Sequence, residues 1–338
     1  MKKELLEILC CPESGEDLDL TIEEGDIDYI VKGSLKSTTG ASFDIIDDIP
    51  YFSKEIEHKG VKNQYETYSH WFEKMHDEES ITTTQNEKIF SDSLKIEEEE
   101  FKNKIVLDAG CGNGRFSYVV SKYDPELLIS FDISKGLGKA KEAILKNNKE
   151  ANIAFVQGDI TNLPFKKESF DIVFSWGVTH HTPNTKKTVR GLSDLVKHKG
   201  IFGIYVYVFN PPYQYEKQFL GLLAYLRSIF LIKPFRFLCS RLPPNSVKLI
   251  FQPIFYIERF FGFGIFGNHS KSFNKEDYFR VVIDRFKTRY ASEHTREEIF
   301  KWFFDLNFNN LRVGGIKVSV TGIKEKDIHK EKKITIFE

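Results

Sequence analysis

The 338-residue chain reads as an α/β protein built on a mostly parallel sheet, and three observations carry that reading. A short apolar run ending in Asp108 leads straight into Gly110-Cys-Gly-Asn-Gly114 and then into a helical pattern from Arg115. Further apolar runs (Leu127 to Phe131, Asn152 to Val156, Phe170 to Ser175) alternate with helical stretches, as parallel strands joined by crossover helices require. The first of these runs stops at Asp132, a carboxylate at the end of a second strand, where open parallel sheets present groups to ligands.

The glycine turn is the strongest of these signals. The backbone there must turn sharply and approach a ligand to contact distance, which a Cβ would block. The spacing is Gly-x-Gly-x-Gly, whereas a dinucleotide fingerprint needs its third glycine where Arg115 stands. With Asp108 one spacer ahead, this motif resembles that of the class I methyltransferases that use S-adenosylmethionine (SAM). Asp132, Gln157-Gly-Asp-Ile160, Leu163-Pro-Phe165 and Ser169-Phe-Asp-Ile-Val-Phe-Ser175 extend the resemblance. The following His180-His-Thr-Pro183 is similar to a subgroup of small-molecule methyltransferases whose familiar members act in quinone biosynthesis. The resemblance spans about residues 61–321. It implies a Rossmann-like seven-stranded sheet in the order 3-2-1-4-5-7-6, SAM as cofactor, S-adenosylhomocysteine (SAH) as product and no metal.

Composition bounds the function. The net charge of -1 gives no global signature of nucleic-acid binding. Four cysteines, two of them adjacent at Cys10 and Cys11, do not form a disulfide framework and fit a reducing compartment. The charged start Met-Lys-Lys-Glu and the absence of long apolar stretches lead us to expect a cytoplasmic protein.

Residues 1–56 read as a separate acidic module, with 15 Asp and Glu against 6 Lys when the count runs to Lys59. Short alternating runs punctuated by Gly25, Gly33 and Gly40 predict a small antiparallel sheet. Its two ends, Leu5 to Pro12 and Asp48 to Phe52, resemble a zinc-ribbon-like domain that accompanies some methyltransferases, including an activator subunit of tRNA-modifying ones. Metal-binding members carry cysteines where this chain has Ser14 and, further on, Ser37 and Thr39. Tetrahedral zinc needs about four sulfur or imidazole ligands, so no zinc is expected. The module then reads as a scaffold or interaction domain.

From Val61 to Met75 the spacing of Tyr65, Tyr68, Trp71 and Phe72 predicts an amphipathic helix. The resemblance implies that it lies over the cofactor, with Tyr65 and Tyr68 as pocket candidates. The helix after the glycine turn offers N–H groups and a positive dipole end, which the resemblance directs at the methionine carboxylate. Cofactor contacts are then expected from Asp108, Gly110, Cys111, Gly112 and Gly114. Asp108 either accepts from the α-ammonium or caps the turn. Asp132 is suited to accept both ribose hydroxyls, with Ile133 beside it, and the resemblance implies that Asp159 and Ile160 read the adenine.

Past the fourth strand, Trp176, His180 and His181 fall near the methyl group by the crevice rule. His181 has an ordinary pKa near working pH, so it is a candidate base; the alternative is that a histidine only fixes the loop. A helix over 186–197 and a turn at His198-Lys-Gly200 precede a fifth strand from Ile201 to Phe209, with Tyr205 and Tyr207 on one face. Residues 210–294 read as a helical insertion within a methyltransferase domain running over 61–338. From 210 to 260 the insertion carries 7 Lys and Arg against 2 acidic residues, with many phenylalanines. It suits a lid over an apolar pocket, a homodimer surface, or peripheral membrane contact through 210–266. Tyr290 and His294 resemble a substrate-side loop. Thr295 with Glu298 predicts a capping box, Asp305 to Asn310 closes that helix, Leu311 to Thr321 supplies the last two strands, and Ile323 to Lys333 reads as an exposed turn.

These residues predict in-line methyl transfer from SAM to a small organic or lipid-like acceptor. The alternatives are a tRNA-modifying methyltransferase and a non-catalytic SAM-binding partner protein.

Overall fold

The computed structural model describes residues 1–52, 65, 66, 68, 69, 78–208, 222, 226, 230, 232–261, 275–315, 318–326 and 333–337. The chain divides into two compact units, one of residues 1–58, 68–208 and 292–338, the other of residues 59–67 and 209–291. Most of the helix expected over 61–75, including Trp71 and Phe72, lies outside the described residues, as do 209–221, 262–274 and 327–332.

In the first unit, helix α1 (Glu4–Ile8) precedes strands β1 (Asp19–Gly25), β2 (Ile30–Lys36), β3 (Ser42–Ile46) and β4 (Ile49–Tyr51). Helices α2 (Glu78–Thr82), α3 (Thr84–Leu94) and α4 (Glu98–Phe101) lead to β5 (Ile105–Ala109), α5 (Arg115–Ser121), β6 (Leu127–Asp132), α6 (Leu137–Asn147), β7 (Ile153–Gln157) and β8 (Phe170–Trp176). After α7 (Thr185–Asp194) comes β9 (Val196–Tyr205). The second unit holds α8 (Lys233–Cys239), α9 (Pro244–Phe261) and α10 (Lys275–Val282). The first unit closes with α11 (Arg296–Asp305), β10 (Phe308–Val313), β11 (Ser319–Lys324) and β12 (Ile334–Ile336).

The strands form one 12-stranded sheet in the order β1-β2-β3-β4-β7-β6-β5-β8-β9-β11-β10-β12. This corrects the seven-strand count. Tyr51 pairs in parallel with Gln157, and the Phe52 N–H donates to the Gln157 carbonyl at 2.8 Å, so the first four strands prolong the central sheet. At the far side β12 pairs in parallel with β10. The central strands are mutually parallel, with Asp132 level with Gln157 and Trp176 level with Tyr205.

All six residues of β6 are buried, as expected for a strand covered on both faces. One apolar layer joins Leu107, Ile129, Phe131, Val173 and Phe202 to Trp302 and Phe303; the other joins Val106, Leu128, Ile172 and Phe174 to Phe90, Phe116 and Ile144. Side-chain caps fix the helices that follow loops, with Asn184 accepting from the Lys187 N–H at 3.0 Å and Thr295 from the Glu298 N–H at 3.2 Å. The acidic run beside Phe101 is a helix with a full capping box, Glu97 with Glu100. Several boundaries differ from expectation, among them the end of β11 at Lys324, inside the expected exposed turn. Strand β9 starts at Val196, inside the predicted helix and turn, and β10 starts at Phe308, inside the segment expected to close α11. Among the described residues no helix is long and apolar enough to cross a membrane.

Candidate functional site

The turn after β5 holds Gly110, Gly112 and Gly114 at φ of +91°, +58° and +83°, a region that costs other residues strain. At Gly110 a Cβ would also stand 2.5 Å from a Val178 methyl group, so this glycine lets the β8 loop close over the turn. The N–H groups of Gly110 and Cys111 donate to the Phe131 carbonyl at 2.7 and 3.0 Å, binding the turn to the end of β6. The next N–H, of Gly112, donates to Asp132 Oδ2 at 2.9 Å, and the Ser134 N–H donates to Asp132 Oδ1 at 2.7 Å. Gly114 is the residue before α5, whose first turn carries Arg115 and Phe116.

Both carboxylates here are buried. Burial pushes Asp108 up to about 7; the nearby charge of Asp132 adds to this, while a hydrogen bond from Ser117 and the charge of Arg115 oppose it. Burial also raises Asp132, against the N–H groups of Ser134 and Gly112. Ser117 Oγ donates to Asp108 Oδ2 at 2.7 Å and is backed by Ser130 Oγ at 2.7 Å. Cys111 is buried in the apolar layer with Phe116.

Strand β7 ends in Gln157, whose amide donates to the Ile133 carbonyl at 2.8 Å while its buried Oε1 has no partner among the described residues. Asp159 is half-buried, and its Oδ1 accepts from both the N–H and the hydroxyl of Thr161 at 2.8 Å. Ile160 packs on the core.

Trp176, at the end of β8, is fixed on several sides. Its ring stacks on Tyr205 at 4.5 Å, meets Phe116 edge-on at 5.2 Å and lies 4.8 Å from the Arg115 guanidinium, while Nε1 donates to Ser93 Oγ at 3.0 Å. Burial lowers Arg115 to about 10, with Asp108 countering.

His180 and His181 occupy a 3₁₀ turn, Thr179–His181. His180 is fully buried; neither ring nitrogen has a partner among the described residues, and burial holds its pKa well below the usual histidine value, helped by His181 and His294. Its ring lies 3.9 Å from Tyr207 and 4.2 Å from His181. His181 meets Tyr207 and Tyr68 edge-on at 5.2 and 5.7 Å. His294 is nearby through the backbone, its N–H donating to the Tyr207 carbonyl at 2.8 Å. Its ring bridges Glu298 Oε2 at 3.0 Å and Ser292 Oγ at 2.8 Å. The predicted capping box is therefore half made, since the Glu298 carboxylate bonds His294. Ser292 in turn meets Thr185 Oγ1 at 2.6 Å, and its N–H donates to the His180 carbonyl at 2.9 Å.

The first unit thus brings together Asp108, the three glycines, Asp132, Trp176, His180, His181, Tyr68, Tyr207 and His294. Tyr65 and Tyr290 belong to the second unit. Sequence reasoning missed Ser117, Ser130, Ser93, Ser292 and Thr185, small hydroxyl residues whose partners are distant in the chain. Only Ser117 carried a local signal, in the first turn of α5 and bonded to Asp108 of β5.

A family model described as a methyltransferase domain matches residues 100–218. A sterol 24-C-methyltransferase of Debaryomyces hansenii is 26% identical over 144 residues, covering 42% of this chain and 37% of the relative. A tRNA U34 carboxymethyltransferase of Helicobacter pylori is 28% identical over 113 residues, 33% of this chain and 43% of the relative. Magnesium protoporphyrin IX methyltransferase from Synechocystis, solved with bound SAH, aligns over 81% of this chain and 91% of its own with a TM-score of 0.41 and 12% identity. The chain spans about a third of the length of the first curated relatives it matches. Residues 100–218, which carry the glycine turn, both buried carboxylates and the paired histidines, are thus similar to a methyltransferase domain.

Proposed function

We propose that the chain transfers a methyl group from SAM to a small organic or lipid-like acceptor. The observation that carries the reading is Asp132, a buried carboxylate at the carboxyl end of β6, pinned by the Gly112 and Ser134 N–H groups beside a left-handed glycine turn. A carboxylate has about four lone-pair directions, so two N–H bonds leave Asp132 capacity for both ribose hydroxyls. The residues fit the cofactor in charge as well. Two buried carboxylates pushed toward neutrality, together with an unpaired Gln157 Oε1, favour a ligand that is cationic and rich in donors.

Bound there, SAM supplies an electrophilic methyl on a sulfonium. The protein's part is then positioning. Asp108 would face the α-ammonium through the oxygen that Ser117 leaves open, Asp159 and the Ile160 N–H would read the adenine edge, and Trp176, stacked on Tyr205, would wall the methyl side. His181 takes the acceptor's proton when the acceptor is a hydroxyl or an acidic carbon, while His180, held neutral by burial, packs Tyr207 against it. The sterol methyltransferase relative favours a lipid-like acceptor. The tRNA-directed relative favours a second reading, an RNA acceptor, against which stands the net charge of -1.

Calorimetric titration of SAM and SAH into wild type and Asp132→Ala tests the cofactor site. Weakening by at least tenfold, about 1.4 kcal/mol, is the expected result. No binding by a folded wild type sinks the proposal. Transfer of labelled methyl from SAM into a lipid extract or into bulk tRNA then separates the two acceptor readings.

A further inference from the structure

Helix α9 of the second unit is apolar on two opposite faces. Successive residues turn about 100°, so Val247, Phe251, Phe255 and Glu258 form one side. They are buried, the three apolar ones packing on Cys239, Tyr278, Phe279, Val282 and Phe286. On the other side Leu249, Tyr256 and Phe260 fall within about 40° of one another and are 73%, 53% and 83% exposed. A helix of a water-soluble surface carries polar residues there. In the same unit Phe230, ahead of α8, and Phe237 of α8 are 75% and 65% exposed.

Along α8, α9 and the turn between them the charges are mostly basic, while the neighbouring α10 brings Lys275 over the Tyr256 ring at 5.9 Å together with Glu276 and Asp277 in its sequence. From 230 to 261 the sequence holds Lys233, Arg236, Arg241, Lys248 and Arg259, against the single acid Glu258, which is buried. Arg241 lies over the Phe237 ring at 3.4 Å and donates to the Phe237 carbonyl at 2.6 Å, which sets a cation beside an exposed aromatic. Exposed aromatic and leucine side chains flanked by basic residues match the boundary of an anionic bilayer, where rings enter the acyl region and cations meet headgroups. Two copies joined through this face would oppose like charges.

We infer that the exposed face of α9, with Phe230 and Phe237, docks the protein on anionic lipid surfaces. The inference holds whether or not the domain transfers a methyl group.

The test is co-sedimentation of the full chain with vesicles of phosphatidylcholine, alone or with about a third phosphatidylglycerol. Wild type is expected to bind the anionic vesicles and to be released by salt. The variant Leu249→Ser/Tyr256→Ser/Phe260→Ser should lose at least tenfold in partitioning. Lys248→Glu, which leaves the apolar face intact, should lose about fivefold or more, so a misfolded triple variant does not obscure the outcome. Absence of binding to either vesicle, or binding that Lys248→Glu and salt leave unchanged, overturns the inference. So does a dimer in light scattering that Phe260→Ser dissociates, since a second copy would then cover the face.

Discussion

Asp108→Asn isolates the electrostatic tension in the site. The carboxylate is 2% exposed and is pushed from 3.8 up to about 7, chiefly by burial, with Asp132 adding to it. A raised carboxylate pKa means that the folded protein keeps a proton the unfolded chain has released. Stability is then greatest below about pH 4, falls as pH rises through the window from 3.8 to about 7, and is flat above it. The full swing is about 4 kcal/mol, from 1.36 kcal/mol per pKa unit. Asparagine cannot ionise, yet its carbonyl still accepts from Ser117 Oγ. Denaturant unfolding of both proteins between about pH 4 and pH 8 should show the variant gaining on wild type by up to about 4 kcal/mol. Two curves that stay parallel across that window refute the reasoning, because Asp108 would then ionise as easily inside as outside. If the proposed cofactor is correct, its ammonium lowers the Asp108 pKa, and saturating SAM should flatten the wild-type slope.

Two further outcomes follow from the turn and the histidine loop. Gly110→Ala places a methyl 2.5 Å from Val178 at φ +91° and should cost about 2–4 kcal/mol in thermal or denaturant unfolding. Val178→Ala in the same chain removes the two nearest methyl groups, at 2.5 and 2.6 Å, but not the Cβ at 2.9 Å, so it should recover part of the steric loss, and an equal loss in both backgrounds refutes the clash. Ser292→Ala removes the hydroxyl between His294, Thr185 and the His180 carbonyl, at a cost of about 1–2 kcal/mol. SAH affinity should hold while methyl transfer slows. A parallel fall in SAH affinity would place Ser292 with the cofactor instead.

What the sequence disclosed follows from how local each signal was. Strands β5, β6 and β7 are covered on both faces, so their apolar runs are short and unbroken, and the glycine turn declares itself because only glycine tolerates its three positive φ values. Strand β9 was hidden by Lys197, His198 and Lys199, which look like a helix end and a turn. The ladder with β8 overrides that local preference, and the Lys197 ammonium pairs with Asp171 at 3.0 Å from the neighbouring strand. Similarly, Asn307 and Asn310 read as a helix stop, and both adopt positive φ, but they bracket the start of β10. The hydroxyl network around His294 was illegible for the same reason. Thr185, Ser292 and Glu298 meet only after the sheet brings α7 and α11 together, and the one local signal, Glu298 as a capping residue, pointed to a different partner.

The acidic N-terminal segment gains a physical account from its place in the sheet. A parallel sheet that ended at β7 would present a row of unpaired N–H and C=O groups on a strand buried on both faces, a template for aggregation. Strand β4 covers that edge through Tyr51 and Phe52, and Lys141 of α6 holds it by donating to Asp48 Oδ1 at 2.6 Å and to the Asp47 carbonyl at 2.9 Å. The edge is thereby moved outward to β1, where Asp19, Glu23 and Glu24 face solvent and the register shifts between Ile22 and Gly25. Charged side chains and an irregular ladder both disfavour pairing with another chain. The exposed Asp and Glu of β1 thus serve to end a long sheet in water.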